Sequence, residues 1–428
     1  MTEKTIPALG EKYYRFRQSG GLDVYVIPKD FATYYATLTT KYGSVDNCFK
    51  RETDMEFTTV PNGIAHFLEH KMFESADGTD TFASYAKLGA DANAFTSFIN
   101  TSYLFSCTDN FYEALELLLD SVYHPYFTNE NVAKEQGIIG EEICMLNDTP
   151  GFRLTFNMLA GMYKEHAVKI NIGGSIESIA EINPELLYTC YKAFYNPSNM
   201  VLVLCGNIDV ERVRQTVEEH VPKSRPVKTQ RRYPHESAEV VMPYVEDVMD
   251  VSAPIFALGI KDVNIPVTAH GRMAKEAALS VTLEALFGPS SPIYNELYER
   301  GDIRGNLSSS HGLCEAFSFV EISGESDDPT SAVEKIREYI DRIKEDGLDP
   351  ELFERAKKVV YAQTVKSFDS SEEINTLFMS NIIDGVDIFD MPEQLSHVTK
   401  DICDSLIRSL FAPESQTVSV IRPEKEKK

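Results

Sequence analysis

Two stretches half a chain apart constrain this fold more than any other feature. YNPSNMVLVLCGNID occupies 195–209 and FAPESQTVSVIRPE occupies 411–424. Each runs aromatic-x-Pro-polar-polar and then enters a run of β-branched and apolar residues that reads as a buried strand. A second pair, YYATLTTKYGS (34–44) and APIFALGIKDV (253–263), stands early in each half at a similar offset. Recurrence at one offset marks repeated structural units, and 428 residues exceed what a single core usually holds. The expected fold class is α+β, with two homologous halves, each a mainly antiparallel sheet packed with helices. The expected division is 1–221, a linker over 222–247, and 248–428. The linker segment carries Pro222, Pro226, Pro234 and Pro243 among basic residues, which favours extended chain over helix. Apolar spacing places amphipathic helices at 110–125, 129–148 and 330–347, with Gly137 and Gly140 weakening the second.

Composition narrows the function classes. Hydrophobic residues make up 43% and charged residues 25%, as in an ordinary globular protein. No apolar run approaches the ~20 residues that span a bilayer, and the N-terminal stretch MTEKTIPALGEKYYRFRQ lacks the apolar segment of a secretory signal. The seven cysteines are scattered, odd in number and without a C-x-x-C pair, which suits free thiols in a reducing compartment. These features point to the cytoplasm. A net charge of −25 argues against nucleic acid or an anionic membrane as partner, and it is compatible with a basic peptide.

The chemistry concentrates in PNGIAHFLEHKMFE (61–74). Asn62 is a candidate N-cap for a helix running from Ile64 to Phe73. On that helix His66 and His70 are i and i+4, so both imidazoles share one face, the spacing at which two histidines hold one Zn²⁺. Glu69 leans to the same side and can take a proton from an activated water. Two histidines and an acid also occur on ordinary helices, so a third ligand is required. Downstream, Glu135 and Glu142 are two turns apart on the 129–148 helix and share a face. Such a pair can offer one zinc ligand and one carboxylate that orients a histidine or the substrate. Read alone, such a run of glutamates is usually a solvated helix face, and Glu141 competes with Glu142.

H-x-x-E-H followed by E-x6-E resembles the inverzincins, the pitrilysin/insulinase family of zinc peptidases. The resemblance extends over HFLEHKMFE (66–74), DANAFTSFINTSYLFS (91–106), AKEQGIIGEEI (133–143) and YNPSNMVLVLCGNID (195–209). It is to a short, two-module, processing-peptidase-like subunit of bacterial type. The resemblance implies one zinc per chain held by His66, His70 and Glu142, with Glu69 as general base and Glu135 as supporting acid. It further implies that Asn93 and Ala94 meet the substrate backbone along an edge strand and that Phe95 borders a side-chain pocket; a buried hairpin with a cross-strand aromatic is the other reading of Phe95. The implied activity is endoproteolysis of short or unfolded peptides.

The chain departs from the family in its second half. A stretch resembling L-R-E-x-G-L-x-Y normally supplies an arginine and a tyrosine that grip substrate, and this chain has LYERGDIRG (297–305). Tyr298 takes the arginine place and Arg304 the tyrosine place, and the two differ in reach, charge and donor geometry. The expected partner is therefore a homologous subunit that supplies the Arg/Tyr pair, with a homodimer using exchanged roles as the close variant. A non-catalytic structural or binding subunit is the alternative function.

Overall fold

The computed structural model describes residues 1–7, 9–75, 78 and 80–424. They form two compact units, and neither is a continuous stretch of chain. The first comprises Met1–Ile143, Asn171–Tyr233 and Ser367–Phe389. The second comprises Cys144–Ile170, Pro234–Lys366 and Asp390–Lys428.

The strands of the first unit are β1 (Thr2–Ile6), β2 (Glu11–Arg17), β3 (Asp23–Pro28), β4 (Tyr34–Thr40), β5 (Cys48–Arg51), β6 (Thr58–Thr59), β7 (Asp91–Thr96), β8 (Thr101–Cys107), β9 (Met200–Gly206) and β10 (Thr229–Arg231). Seven make one sheet in the order β1-β2-β3-β9-β4-β8-β7, antiparallel except for the β3/β9 pair, and β10-β5-β6 make a small second sheet. The second unit holds β11 (Tyr244–Met249), β12 (Ile255–Lys261), β13 (Arg304–Leu313), β14 (Ser318–Glu325) and β15 (Gln416–Pro423), in the order β11-β15-β12-β14-β13. Only β11/β15 is parallel.

The two sheets repeat one topology. Starting from the parallel pair, β3-β9-β4-β8-β7 and β11-β15-β12-β14-β13 have the same order and directions. The paired sequence stretches fall on equivalent elements. Pro197 and Pro413 each open a 3-10 turn that leads into β9 and β15, and 34–44 and 253–263 contain β4 and β12. The fold is α+β with homologous halves, as expected.

The division of the chain differs from the one expected at 222–247. That segment is extended, but it is not a free linker: β10 pairs with β5 in the first unit, and β11 begins within it and pairs with β15 in the second. Two helices also belong to the other half's sheet. In the first unit the helix Ser371–Ile383 packs on β4 and β9, where Asn375 Nδ2 donates to the carbonyls of Tyr35 (3.2 Å) and Val203 (2.7 Å). In the second unit the helix Pro150–Met162 packs on β12 and β15. A Cβ added to Gly259 would lie 2.5 Å from Met158 Cγ, so the glycine in β12 permits that close approach. Apolar periodicity tells which face of a helix is buried and is silent about which sheet covers it.

The helices that build the site are α1 (Ile64–Lys71), α2 (Thr81–Leu88), α3 (Phe111–Tyr123) and α4 (Asn129–Asn147). α3 follows its apolar spacing, with Leu115, Leu118, Leu119 and Val122 buried against the first unit's core and Glu113 and Asp120 exposed. α4 runs through Gly137 and Gly140 without a break. The third predicted helix is observed as Pro329–Asp346.

Candidate metal centre

α1 begins at Ile64, as the sequence suggested, but Asn62 is not its N-cap. Its N-cap is Gly63, in the left-handed region at φ 88°, and a Cβ there would meet the Gly173 carbonyl oxygen at 2.3 Å. Both features demand glycine. Asn62 instead braces the approach to the helix: its side chain accepts from Asn47 Nδ2 at 3.0 Å, and its carbonyl accepts from Ser178 Oγ at 2.9 Å. This anchoring fixes the start of α1, and hence the direction of its histidine face.

His66 and His70 lie one turn apart and meet edge to face, with ring centroids 4.6 Å apart. Both turn Nε2 toward the same carboxylate on α4. Glu142 Oε1 lies 3.5 Å from His66 Nε2, and Glu142 Oε2 lies 3.3 Å from His70 Nε2. Glu141 is exposed on the neighbouring phase of the helix. Two turns before Glu142, Glu135 is buried and its Oε1 stands 3.1 Å from His70 Nδ1. His70 is thus held at both ring nitrogens by the carboxylate pair E-x6-E.

Glu69 joins the histidines: one ligand-type atom from each of His66, Glu69 and His70 lies within 4.8 Å of the others. Its Oε2 accepts from Thr96 Oγ1 at 2.6 Å. Thr96 was not singled out in the sequence, although strand alternation puts it on the same face as Ala94.

The electrostatics favour a cation between α1 and α4. Burial pushes the His70 imidazole down, but hydrogen bonds to Glu135 and Glu142 outweigh it and raise the group to about 9. Hydrogen bonds from His66 and His70 hold Glu142 well below the ordinary carboxylate range. Burial pushes Glu135 up, and the His70 bond together with the Lys71 charge lowers it on balance. Two imidazoles and one carboxylate converging with a further acid beside them fit Zn²⁺ in ligand type and number. Glu135 on His70 Nδ1 is the partner that fixes the tautomer presenting Nε2.

Asn93, Ala94 and Phe95, which the resemblance assigned to substrate, lie on β7, the outer strand of the first sheet. The Ser97 N–H bonds to the Asn100 carbonyl at 2.8 Å, which sets the phase of the β7/β8 ladder. By that phase the N–H groups of Asn93 and Phe95 point into the sheet and those of Ala92, Ala94 and Thr96 point off its edge. The Ala94 N–H is taken by Asn93 Oδ1 at 2.9 Å. Asn93 and Ala94 line an open cavity of about 780 Å³ beside Glu69 and His70, with Phe73 and Phe82 stacked in its wall at 4.4 Å. Phe95 is 37% exposed and does not line this cavity, nor is it buried in the hairpin. Strand alternation places it on the opposite face from Ala94 and Thr96.

Tyr298 and Arg304 belong to the second unit. Tyr298 is 56% exposed near the end of the helix Pro292–Glu299, stacked on Tyr294, and Arg304 opens β13 with its guanidinium 2.6 Å from Asp327. All seven cysteines are free thiols. Among the described residues no helix is long and apolar enough to cross a membrane.

Known proteins share both the sequence and the fold. Residues 57–175 match Insulinase (Peptidase family M16), and residues 181–360 match the Peptidase M16 inactive domain. The chain is 40% identical to the uncharacterized zinc protease YmfH of Bacillus subtilis (strain 168), over 97% of each chain. A second relative from that organism, the uncharacterized zinc protease YmxG, is 25% identical over 72% of this chain and 75% of its own. A putative M16-like peptidase from Alicyclobacillus acidocaldarius superposes with a TM-score of 0.93 at 32% identity, covering 98% of this chain and 100% of the other. Pitrilysin, at 16% identity and a TM-score of 0.76, shares the fold over 97% of this chain and 45% of its own. The chain belongs to the insulinase family of peptidases, family M16.

Proposed function

We propose that this protein is a zinc-dependent endopeptidase that hydrolyses short or unfolded peptides in the cytoplasm. The observation that carries this reading is the convergence of both Nε2 atoms of His66 and His70 on Glu142, with Glu135 behind His70. His66, His70 and Glu142 would hold the ion, one per chain. Zinc, when bound, supplies a Lewis acid that activates water near neutral pH and polarises the scissile carbonyl.

The chain's own residues perform the rest. Glu69 accepts the proton of the attacking water at Oε1 and passes it to the leaving amine, while Thr96 holds its other oxygen. The outward edge of β7 at Ala94 aligns the peptide backbone by strand addition. The cavity beyond it receives a side chain, and Asp80 and Glu130 in its wall, set against Lys134, favour a basic one. Free thiols are the feature that supports a reducing compartment.

The reading includes a partner. Tyr298 and Arg304 stand where the family's arginine and tyrosine would, so we assign the missing pair to a homologous subunit.

Glu69→Gln tests the catalytic role. The variant should keep its zinc and lose about 10²–10⁴-fold in turnover of an unstructured peptide. Turnover within a few-fold of the unsubstituted protein would remove Glu69 as the base.

A further inference from the structure

Directly after His70 the chain carries a lysine on the packed side of α1. Lys71 is 0% exposed, which is rare for an amino group and requires full compensation. It has three acceptors for its three N–H donors. Nζ lies 2.6 Å from Glu74 Oε2, 3.3 Å from Glu135 Oε2 and 3.2 Å from the Asn131 carbonyl. Asn131 is one turn before Glu135 on α4, so a single ammonium fastens α1 to that helix through both its backbone and a side chain.

The division of Glu135's two oxygens gives this contact its meaning. Oε1 faces His70 Nδ1 at 3.1 Å and Oε2 faces Lys71 at 3.3 Å. With one partner alone, a carboxylate can rotate about its terminal bond. Held at both oxygens, its plane is fixed, and with it the imidazole that it bonds. We infer that Lys71 is a positioning residue of the metal centre, an ammonium that locks Glu135 so that His70 presents Nε2 toward Glu142. The inference rests on the reading above that these side chains hold zinc.

The competing role is a simple strut. A buried lysine between two helices would stabilise the fold and leave metal affinity alone. The two roles separate in a double-mutant cycle, because a residue that acts through Glu135 has no further effect once Glu135 is changed.

The experiment measures the zinc Kd by chelator competition and the visible spectrum of the Co²⁺ form for the unsubstituted full chain, Lys71→Met, Glu135→Gln and the double variant. Lys71→Met should weaken zinc binding about 10–100-fold, the range for partners of metal ligands, and should shift the Co²⁺ bands. Glu135→Gln should do the same. The double variant should bind within about threefold of Glu135→Gln alone. Lys71→Gln, which keeps a donor for the Asn131 carbonyl, enters the same cycle if Lys71→Met does not fold. A double variant whose loss equals the product of the two single losses would overturn the inference. So would a Lys71 variant with a lowered melting temperature but unchanged zinc Kd and Co²⁺ spectrum. The affinity of the unsubstituted chain reports on the metal site itself, so a failure of that reading appears separately from a failure of the Lys71 cycle.

Discussion

At the scale of single residues the centre is a problem of charge. Glu69, Glu74, Glu135 and Glu142 surround two imidazoles and one ammonium within a few turns of helix. Four carboxylates in one place are unfavourable unless cations divide them. Lys71 serves Glu135 and Glu74, and the raised proton affinity of His70 marks where further positive charge is wanted. A dication between the two Nε2 atoms and Glu142 meets that demand. The choice between Glu141 and Glu142 follows from helix phase, since Glu142 turns to the histidines and Glu141 is exposed.

At the scale of elements, a single carboxylate can hold a turn of backbone in place. In the second unit the segment after Pro150–Met162 is held by one carboxylate. Glu236 accepts from the backbone N–H groups of Lys164 (3.1 Å), Glu165 (2.6 Å) and His166 (2.8 Å) and pairs with Lys261 at 2.7 Å. Burial pushes this carboxyl up, but the Lys261 bond and the three N–H groups lower it to about 2. Its folded-state value lies below the unfolded one of about 4.3, so its stabilisation is complete above that value and lost as pH falls toward 2. Glu236→Gln should therefore cost about 1–3 kcal/mol at pH 7. Denaturant melts should show the gap to the unsubstituted chain closing between about pH 4.5 and 2. A gap that stays constant across that range would contradict this account.

Legibility in the sequence followed the same physics. The site residues on regular helices were readable, because i, i+4 and i, i+7 spacings fix which side chains share a face whatever surrounds them. The repeat was readable because Pro197 and Pro413 mark equivalent strand entries. What escaped was tertiary. Nothing local says that Ser371–Ile383 covers the first half's sheet or that Pro150–Met162 covers the second's. Nothing local says that Lys71 is buried, since a lysine on an amphipathic helix ordinarily reads as solvated. Phe95 was open to two readings, a pocket residue or a buried hairpin aromatic, and strand alternation places it on the opposite face from Ala94 and Thr96.

At the scale of the whole molecule, the halves share a topology but not a chemistry. The first unit carries the histidines and carboxylates, whereas β13, equivalent to β7 in the second, opens with Arg304 paired to Asp327. We therefore expect the chain purified alone to cleave unstructured peptides slowly, and a related subunit lacking H-x-x-E-H, recovered with it from its native cell, to raise that rate. Full activity of the isolated chain would contradict the need for a partner.

The central claim, that His66, His70 and Glu142 hold a catalytic zinc, is tested most directly by the zinc content per chain of the purified protein. The unsubstituted chain and Glu141→Gln should carry about one zinc, and His66→Ala and Glu142→Gln should carry almost none. A His66→Ala protein that retains the zinc of the unsubstituted chain would contradict the account.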